Sequence, residues 1–226
     1  KDLRDVKKAY PVERLTDVKD EITEIKIDMT AMIPKEDCVV MVTHDGYVKR
    51  TSFRSYTASN PEDITIKEND YILGIYEMST LDTLLVFTTH GNYLYIPVHI
   101  LPDLKWKDMP KHVSNVIEIS PEESVVSAIP VTSFDMDKNI VITSRNGMIK
   151  RSKLADFKLS RYSKPISCMR LKDDDLVIDA FVEEKDTLFI TTDSGYGLTF
   201  KVSEVPVVGV KAAGVKAIKL KDDHLV

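Results

Sequence analysis

The chain has 226 residues, of which 43% are hydrophobic and 30% charged, and its formal net charge is −5. These proportions are typical of a globular chain that can bury a hydrophobic core. No apolar run approaches the roughly 18 residues of a transmembrane helix, and the first residues lack the apolar core of a signal peptide. We therefore expect a cytoplasmic protein without a membrane partner.

The first 22 residues differ from the rest of the chain. They are charged and mildly helical in pattern, and Pro11 interrupts them. We interpret residues 1–22 as a linker and residues 23–226 as the folded domain. Cys38 and Cys168 show neither CxxC spacing nor a disulfide framework, so each is predicted to be a small half-buried residue of a reducing compartment.

From residue 39 onward one pattern recurs four times. An apolar run is followed by Thr or Ser, two or three polar residues and a glycine, and these glycines lie at positions 46, 91, 147 and 195. Self-similarity at a period of about 40–50 residues is typical of blade-like repeats that pack against their neighbours. The chain is therefore expected to be a repeat array rather than two ordinary domains.

Each repeat contains a predicted β-hairpin. Asp45-Gly46 and Asn146-Gly147 are strong hairpin signals, because both central residues of such a turn can adopt positive φ. An apolar residue stands seven positions after each glycine, at Phe53, Val98, Leu154 and Val202.

The second half of each repeat also recurs. An acidic turn precedes a second β-run at residues 69–72, 122–126 and 173–177, and residues 218–226 begin another copy. About four short strands per unit match one propeller-type blade. The sequence thus predicts an all-β array of four complete units and a truncated fifth.

Charge is separated along the third repeat. Residues 145–172 hold nine basic residues and one acid, whereas residues 173–186 hold seven acids and one lysine. A local basic patch rather than the net charge governs attraction of an anionic partner. A mixed surface that only keeps the protein soluble is the alternative.

Two repeats carry the residues of a known family. Residues 43–50 read Thr-His-Asp-Gly-Tyr-Val-Lys-Arg, and residues 144–151 read Ser-Arg-Asn-Gly-Met-Ile-Lys-Arg. Both resemble the C-terminal repeats of the A subunits of bacterial type IIA topoisomerases, and residues 13–18 look like the junction with that family's catalytic core. The resemblance implies a β-pinwheel, which is a propeller-like disc whose blades exchange strands, with double-stranded DNA around its rim.

The family's gyrase branch carries a Q-R-R-G-G-K-G box that has no match here; the nearest stretch is Val208–Gly214. The chain is thus more similar to the topoisomerase IV branch of Gram-positive bacteria. The resemblance implies an A subunit that dimerises and pairs with an ATPase B subunit for strand passage near the nucleoid.

Candidate DNA contacts follow from the basic residues after the turns and from the basic block. They are expected at Lys49, Arg50, Arg54, Arg145, Lys150, Arg151, Lys153, Lys158, Arg161 and Lys164. The second and fourth repeats replace the Lys-Arg pair with Leu94-Tyr95 and Leu198-Thr199, so the rim is expected to be unevenly basic. Contacts of this type would bind the DNA backbone with little sequence preference.

No catalytic residue, metal site or cofactor site is expected. The histidines are scattered, no Walker lysine occurs, and the family's DNA-cleaving tyrosine belongs to the catalytic core. A propeller that binds another protein remains the alternative function.

Overall fold

A computed structural model describes residues 2–11, 32–172, 174–220 and 224–226. The chain divides into two compact units, Lys1–Met32 and Ile33–Val226. In the first unit, α1 (Asp2–Ala9) has acids in its first turn and lysines in its last, which suits the helix dipole. The expected boundary at residues 22 and 23 and the junction at residues 13–18 lie outside the described residues. No helix in the described part of the chain is long and apolar enough to cross a membrane.

The second unit consists of short strands with very little helix. In chain order the elements are β1 (Asp37–Thr43), β2 (Tyr47–Ser52), α2 (Phe53–Thr57), β3 (Ile72–Ser79), β4 (Thr83–Thr88), β5 (Asn92–Pro97), β6 (Lys111–His112), β7 (Val125–Val131), β8 (Asn139–Ser144), β9 (Met148–Lys153), β10 (Ile166–Ser167), β11 (Val177–Val182), β12 (Thr187–Thr191), β13 (Gly197–Lys201) and β14 (Val215–Lys216). Single 3₁₀ turns follow β5, β9 and β13 and begin at Val98, Leu154 and Val202. These three residues are buried, whereas Phe53, at the equivalent position, is exposed.

The strands form three four-stranded antiparallel sheets and one two-stranded sheet. Their orders are β3-β1-β2-β6, β10-β5-β4-β7, β11-β8-β9-β14 and β12-β13. The all-β pinwheel is therefore confirmed, but the prediction of four complete units and a truncated fifth was wrong. Residues 215–216 complete the third sheet, and Leu225 accepts a hydrogen bond from Asp193 in the fourth. Val226 also donates its N–H to the carbonyl oxygen of Arg145 in the third repeat, so the segment assigned to a fifth unit contacts the third and fourth sheets.

Each complete sheet takes its last strand from the following repeat. β6 pairs with β2, β10 pairs with β5, and β14 pairs with β9. We call residues 103–112, 158–167 and 205–216, which end in these strands, the first, second and third crossover segments. The edges that they cover form the rim. The opposite edges, β3, β7 and β11, contact one another in succession and join the sheets.

The hairpin turns depend on their glycines. Gly46, Gly91, Gly147 and Gly195 have φ between 72° and 83°, in the region that other residues rarely adopt. Asp45 and Asn146 do not share this positive φ, so the expected turn with two positive-φ residues was wrong. The side chains of Thr43 and Ser144 instead accept backbone N–H groups four residues later and close a wider turn.

The core consists of apolar residues between neighbouring sheets. Val40, Val86 and Leu94 belong to the cluster between the first two sheets, and Phe87, Ile142 and Phe157 belong to that between the second and third. Phe181, Leu188 and Phe200 of the third cluster are only partly buried. The two-stranded sheet is therefore the least covered part of the array.

Candidate nucleic-acid interface

Lys49 and Arg50 do not face solvent together. The Lys49 side chain is fully buried, and its Nζ donates to the carbonyl oxygens of Trp106 at 2.5 Å and Asp108 at 2.9 Å. The same Nζ lies 5.0 Å from the centre of the Trp106 ring. Arg50 is mostly buried and bonds Asp103 at 3.1 Å. All of these partners belong to the first crossover segment.

Lys150 and Arg151 repeat this arrangement in the third sheet. Lys150 is fully buried, and its Nζ donates to the carbonyl oxygens of Gly209 and Val210 in the third crossover segment. Arg151 donates to the carbonyl oxygen of Val205 at 2.8 Å and pairs with Glu183 at 2.9 Å.

The expectation that both Lys-Arg pairs present their charge at an open edge was therefore wrong. The crossover segment covers that edge, and the ammonium group of each lysine donates to backbone carbonyl oxygens of that segment. The second sheet has Leu94 in place of the lysine, and its crossover segment is packed by Tyr162, which stacks on Tyr95 at 5.6 Å. The recurrence of Lys-Arg is thus explained by strand exchange.

Burial also changes the acid–base behaviour of the two lysines. Desolvation lowers the pKa of Lys49 and that of Lys150 to about 8, because the charged form loses its hydration. The Asp108 carboxylate partly opposes this shift at Lys49. Neither ammonium forms a salt bridge with a carboxylate of the described residues.

Most of the other predicted contacts are accessible. Arg54, Lys153, Lys158, Arg161 and Lys164 are exposed. Lys158, Arg161 and Lys164 lie on the second crossover segment, which runs from the end of β9 to the edge of β5. Arg145 is half-buried and donates to the carbonyl oxygen of Asp174, so its charge is partly engaged.

Lys211 and Lys216 of the third crossover segment were not among the predicted DNA contacts. Lys211, Lys216 and Lys219 are exposed, and no acid occurs among residues 205–220. The absence of acids was the available signal, but only the strand pairing places this stretch on the rim. The N–H of Arg170, three residues beyond the second crossover segment, donates to the carbonyl oxygen of Ala212 in the third at 3.3 Å. Residues 157–172 and 205–220, which contain basic residues and no acid, therefore lie next to each other.

The first crossover segment is different in charge. Asp103 and Asp108 alternate with Lys105 and Lys107, and the Lys107 ammonium pairs with Asp63 at 2.8 Å. Its positive charge is largely compensated, so the basic surface is concentrated at the second and third sheets.

One group of side chains resembles a cation site. Potential ligand atoms of His44, Asp45 and Asp70 lie within 4.8 Å of one another. Asp45 is already bonded to Lys67 at 2.9 Å, which lowers the pKa of its carboxyl, and Asp70 accepts the N–H groups of Asp45 and Tyr71. These carboxylates close the first hairpin turn, as Asp175 does in the third repeat.

Comparison with known proteins agrees with this geometry. The family model for the DNA gyrase C-terminal domain, beta-propeller, matches residues 39–60, 82–132, 138–182 and 186–226. The A subunit of DNA topoisomerase 4 from Bacillus subtilis (strain 168) is 46% identical over 99% of this chain, and that from Staphylococcus aureus (strain MRSA252) is 43% identical over 100%. The chain spans 28% of the length of each of these relatives.

A solved structure shows the same fold. The crystal structure of the C-terminal domain of DNA topoisomerase IV superposes with a TM-score of 0.82 at 48% identity, over 86% of this chain and 60% of that one. The chain therefore has a known architecture. The chain belongs to the family of DNA gyrase C-terminal β-propeller domains, and its matched relatives are A subunits of topoisomerase IV from Gram-positive bacteria.

Proposed function

We propose that this chain is the DNA-binding accessory domain of the topoisomerase IV A subunit, where it binds duplex DNA with little sequence preference. The observation that carries the proposal is the pair of adjoining acid-free segments, residues 157–172 and 205–220, on the rim of neighbouring sheets. Their exposed cations are Lys158, Arg161, Lys164, Arg170, Lys172, Lys211, Lys216 and Lys219.

The chemistry of these side chains fits phosphate rather than bases. Lysine and arginine on short loops and edge strands neutralise a backbone, whereas base reading requires an element that enters a groove. Among the described residues no helix of the second unit exceeds the five residues of α2, so no recognition helix is available there. Contacts along the curved rim would bend a duplex that follows it.

The role that we propose in the intact enzyme assigns DNA binding to this domain and DNA cleavage to the catalytic core. The domain holds a duplex beside the catalytic core, which the dimeric A subunits form together with the ATPase B subunits, and it helps to select DNA crossings for relaxation and decatenation. It performs no chemistry of its own and needs no cofactor. Such a protein would act in the cytoplasm, at the nucleoid.

A salt titration of DNA binding tests the proposal directly. With roughly six phosphate contacts, log K should fall with log salt at a slope of about −5, because each contact releases counterions. Two unrelated duplexes of equal length should bind alike. Affinity that does not change with salt, or that depends on sequence, would contradict non-specific phosphate binding and favour the alternative of a protein-binding propeller.

A deletion tests the role in the enzyme. Removing residues 33–226 from the A subunit of the intact enzyme should leave DNA cleavage by the core unchanged and should reduce decatenation. Loss of cleavage itself would show that the domain contributes to the chemical step.

A further inference from the structure

The two buried lysines make the same contacts in two protonation states. Lys49 Nζ donates two hydrogen bonds, to the carbonyl oxygens of Trp106 and Asp108, and Lys150 Nζ donates two, to those of Gly209 and Val210. A neutral amine still has two N–H donors. Both bonds of each lysine therefore survive the loss of a proton, whereas the cost of burying a charge disappears.

Among the described residues, one titratable side chain acts on each lysine. The Asp108 carboxylate faces Lys49, and the buried Cys168 thiol faces Lys150. The Cys168 thiol stays protonated, because burial raises its pKa to about 12. The Trp106 ring, 5.0 Å from Nζ, adds a cation–π attraction that favours the charged form of Lys49. Both ammonium groups are thus bound through hydrogen bonds to backbone carbonyl oxygens.

We propose that Lys49 and Lys150 are positioning residues whose proton loss tightens the first and third crossover segments onto their sheets. The second crossover segment has Leu94 at this position and is held by Tyr95 and Tyr162, so its attachment is independent of these protons. Attachment of the first and third crossover segments would therefore depend on the protonation of a lysine, and attachment of the second would not. This inference is independent of DNA binding.

The direction of the effect follows from the two states of a segment. When a segment is detached, its lysine is in water with its ordinary pKa of 10.5, and when the segment is attached the pKa is about 8. Between these values the attached state binds fewer protons, so attachment strengthens as pH rises through that window. Below pH 8 both states are protonated and attachment is constant. Across the window the equilibrium constant should rise on the order of 100-fold.

The only tryptophan of the chain, Trp106, makes the test simple. Its emission and its quenching by acrylamide are measured without DNA, at constant ionic strength, from about pH 6 to about pH 10. Quenching should be constant below pH 8 and should fall above it. Lys49→Arg keeps a cation that does not titrate, so this transition should vanish. Lys150→Arg, changed in the other sheet, should retain it.

A transition that persists in Lys49→Arg, or constant quenching through pH 8 in the unaltered protein, would overturn the proposal. If Lys49→Arg does not fold, NMR of the protein with Nζ-labelled lysine gives an independent answer. Two lysine resonances, those of Lys49 and Lys150, should titrate near pH 8. Titration of every lysine near its ordinary pKa would refute the inference, whatever the outcome with DNA.

Discussion

The backbone N–H of Arg170 donates to the carbonyl oxygen of Ala212 at 3.3 Å, and this bond joins basic segments from the second and third sheets. Neither segment contains an acid, whereas the first crossover segment contains two. The positive surface of the rim is thus produced by contact between segments that are distant in the sequence. Substitutions of the exposed cations in each segment can therefore test this surface separately from the buried lysines that attach crossover segments to their sheets.

Charge reversal should rank the rim segments. Lys158→Glu with Lys164→Glu, and Lys211→Glu with Lys216→Glu, should each weaken DNA binding by roughly tenfold or more at low salt, because each pair removes about two phosphate contacts. Lys105→Glu with Lys107→Glu is the matched control, since Lys107 is already paired with Asp63. Affinities are compared at one fixed salt concentration. If the control pair is the most damaging, DNA follows the first sheet instead.

Lys150→Met should destabilise the fold rather than act through charge. The change leaves the carbonyl oxygens of Gly209 and Val210 without their donor, at a cost of about 1–3 kcal/mol in the free energy of unfolding. Lys153→Met alters an exposed lysine at the end of the same strand and should change stability by less than about 0.5 kcal/mol. Urea denaturation measures both. Equal stability of the two variants would show that the buried hydrogen bonds contribute nothing.

Two turn glycines should differ in their tolerance of alanine. Both Gly91 and Gly195 have positive φ, so alanine introduces backbone strain of about 1 kcal/mol at either position. A Cβ at Gly91 would also lie 2.6 Å from the carbonyl oxygen of Met169, whereas at Gly195 no atom of the described residues lies within 4 Å. Thermal melts should therefore show a markedly larger loss for Gly91→Ala. Similar losses would mean that the second repeat shifts freely to make room.

The two thiols should resist modification in the folded protein. Cys38 and Cys168 are free, as the sequence predicted, but they are buried rather than half-buried, and desolvation raises their pKa to about 11 and about 12. Since the thiolate is the reactive form, iodoacetamide at pH 8 should label neither before unfolding. Mass spectrometry before and after addition of urea reports the labelling. Rapid labelling of Cys168 in the native state would indicate that the second sheet opens.

The sequence predicted the hairpin within each repeat well, but it predicted poorly the strands that one repeat contributes to the sheet of another. Short-range signals determine a hairpin, so the four turn glycines and most strand pairs were found. The edge strands β6, β10 and β14 have two residues each and pair with partners more than 60 residues away, which leaves no periodic pattern. Lys49 and Lys150 were predicted to be exposed DNA contacts because the sequence gives no sign of the edge strands beside them. Without the crossover segment, the face of β2 and β9 that carries them would be open to water.

Strand exchange also imposes an order of events during synthesis. The partner of β5 is made more than 60 residues after β5 itself, so the second sheet stays one strand short until the next repeat has emerged. A strand edge that stays unpaired for a long time during synthesis can pair with other chains. β2 and β9 carry a lysine at that edge, which discourages such pairing, but β5 reads Asn-Tyr-Leu-Tyr-Ile-Pro and has no charge. We therefore expect the nascent chain to be most prone to aggregate in the interval between synthesis of β5 and of β10.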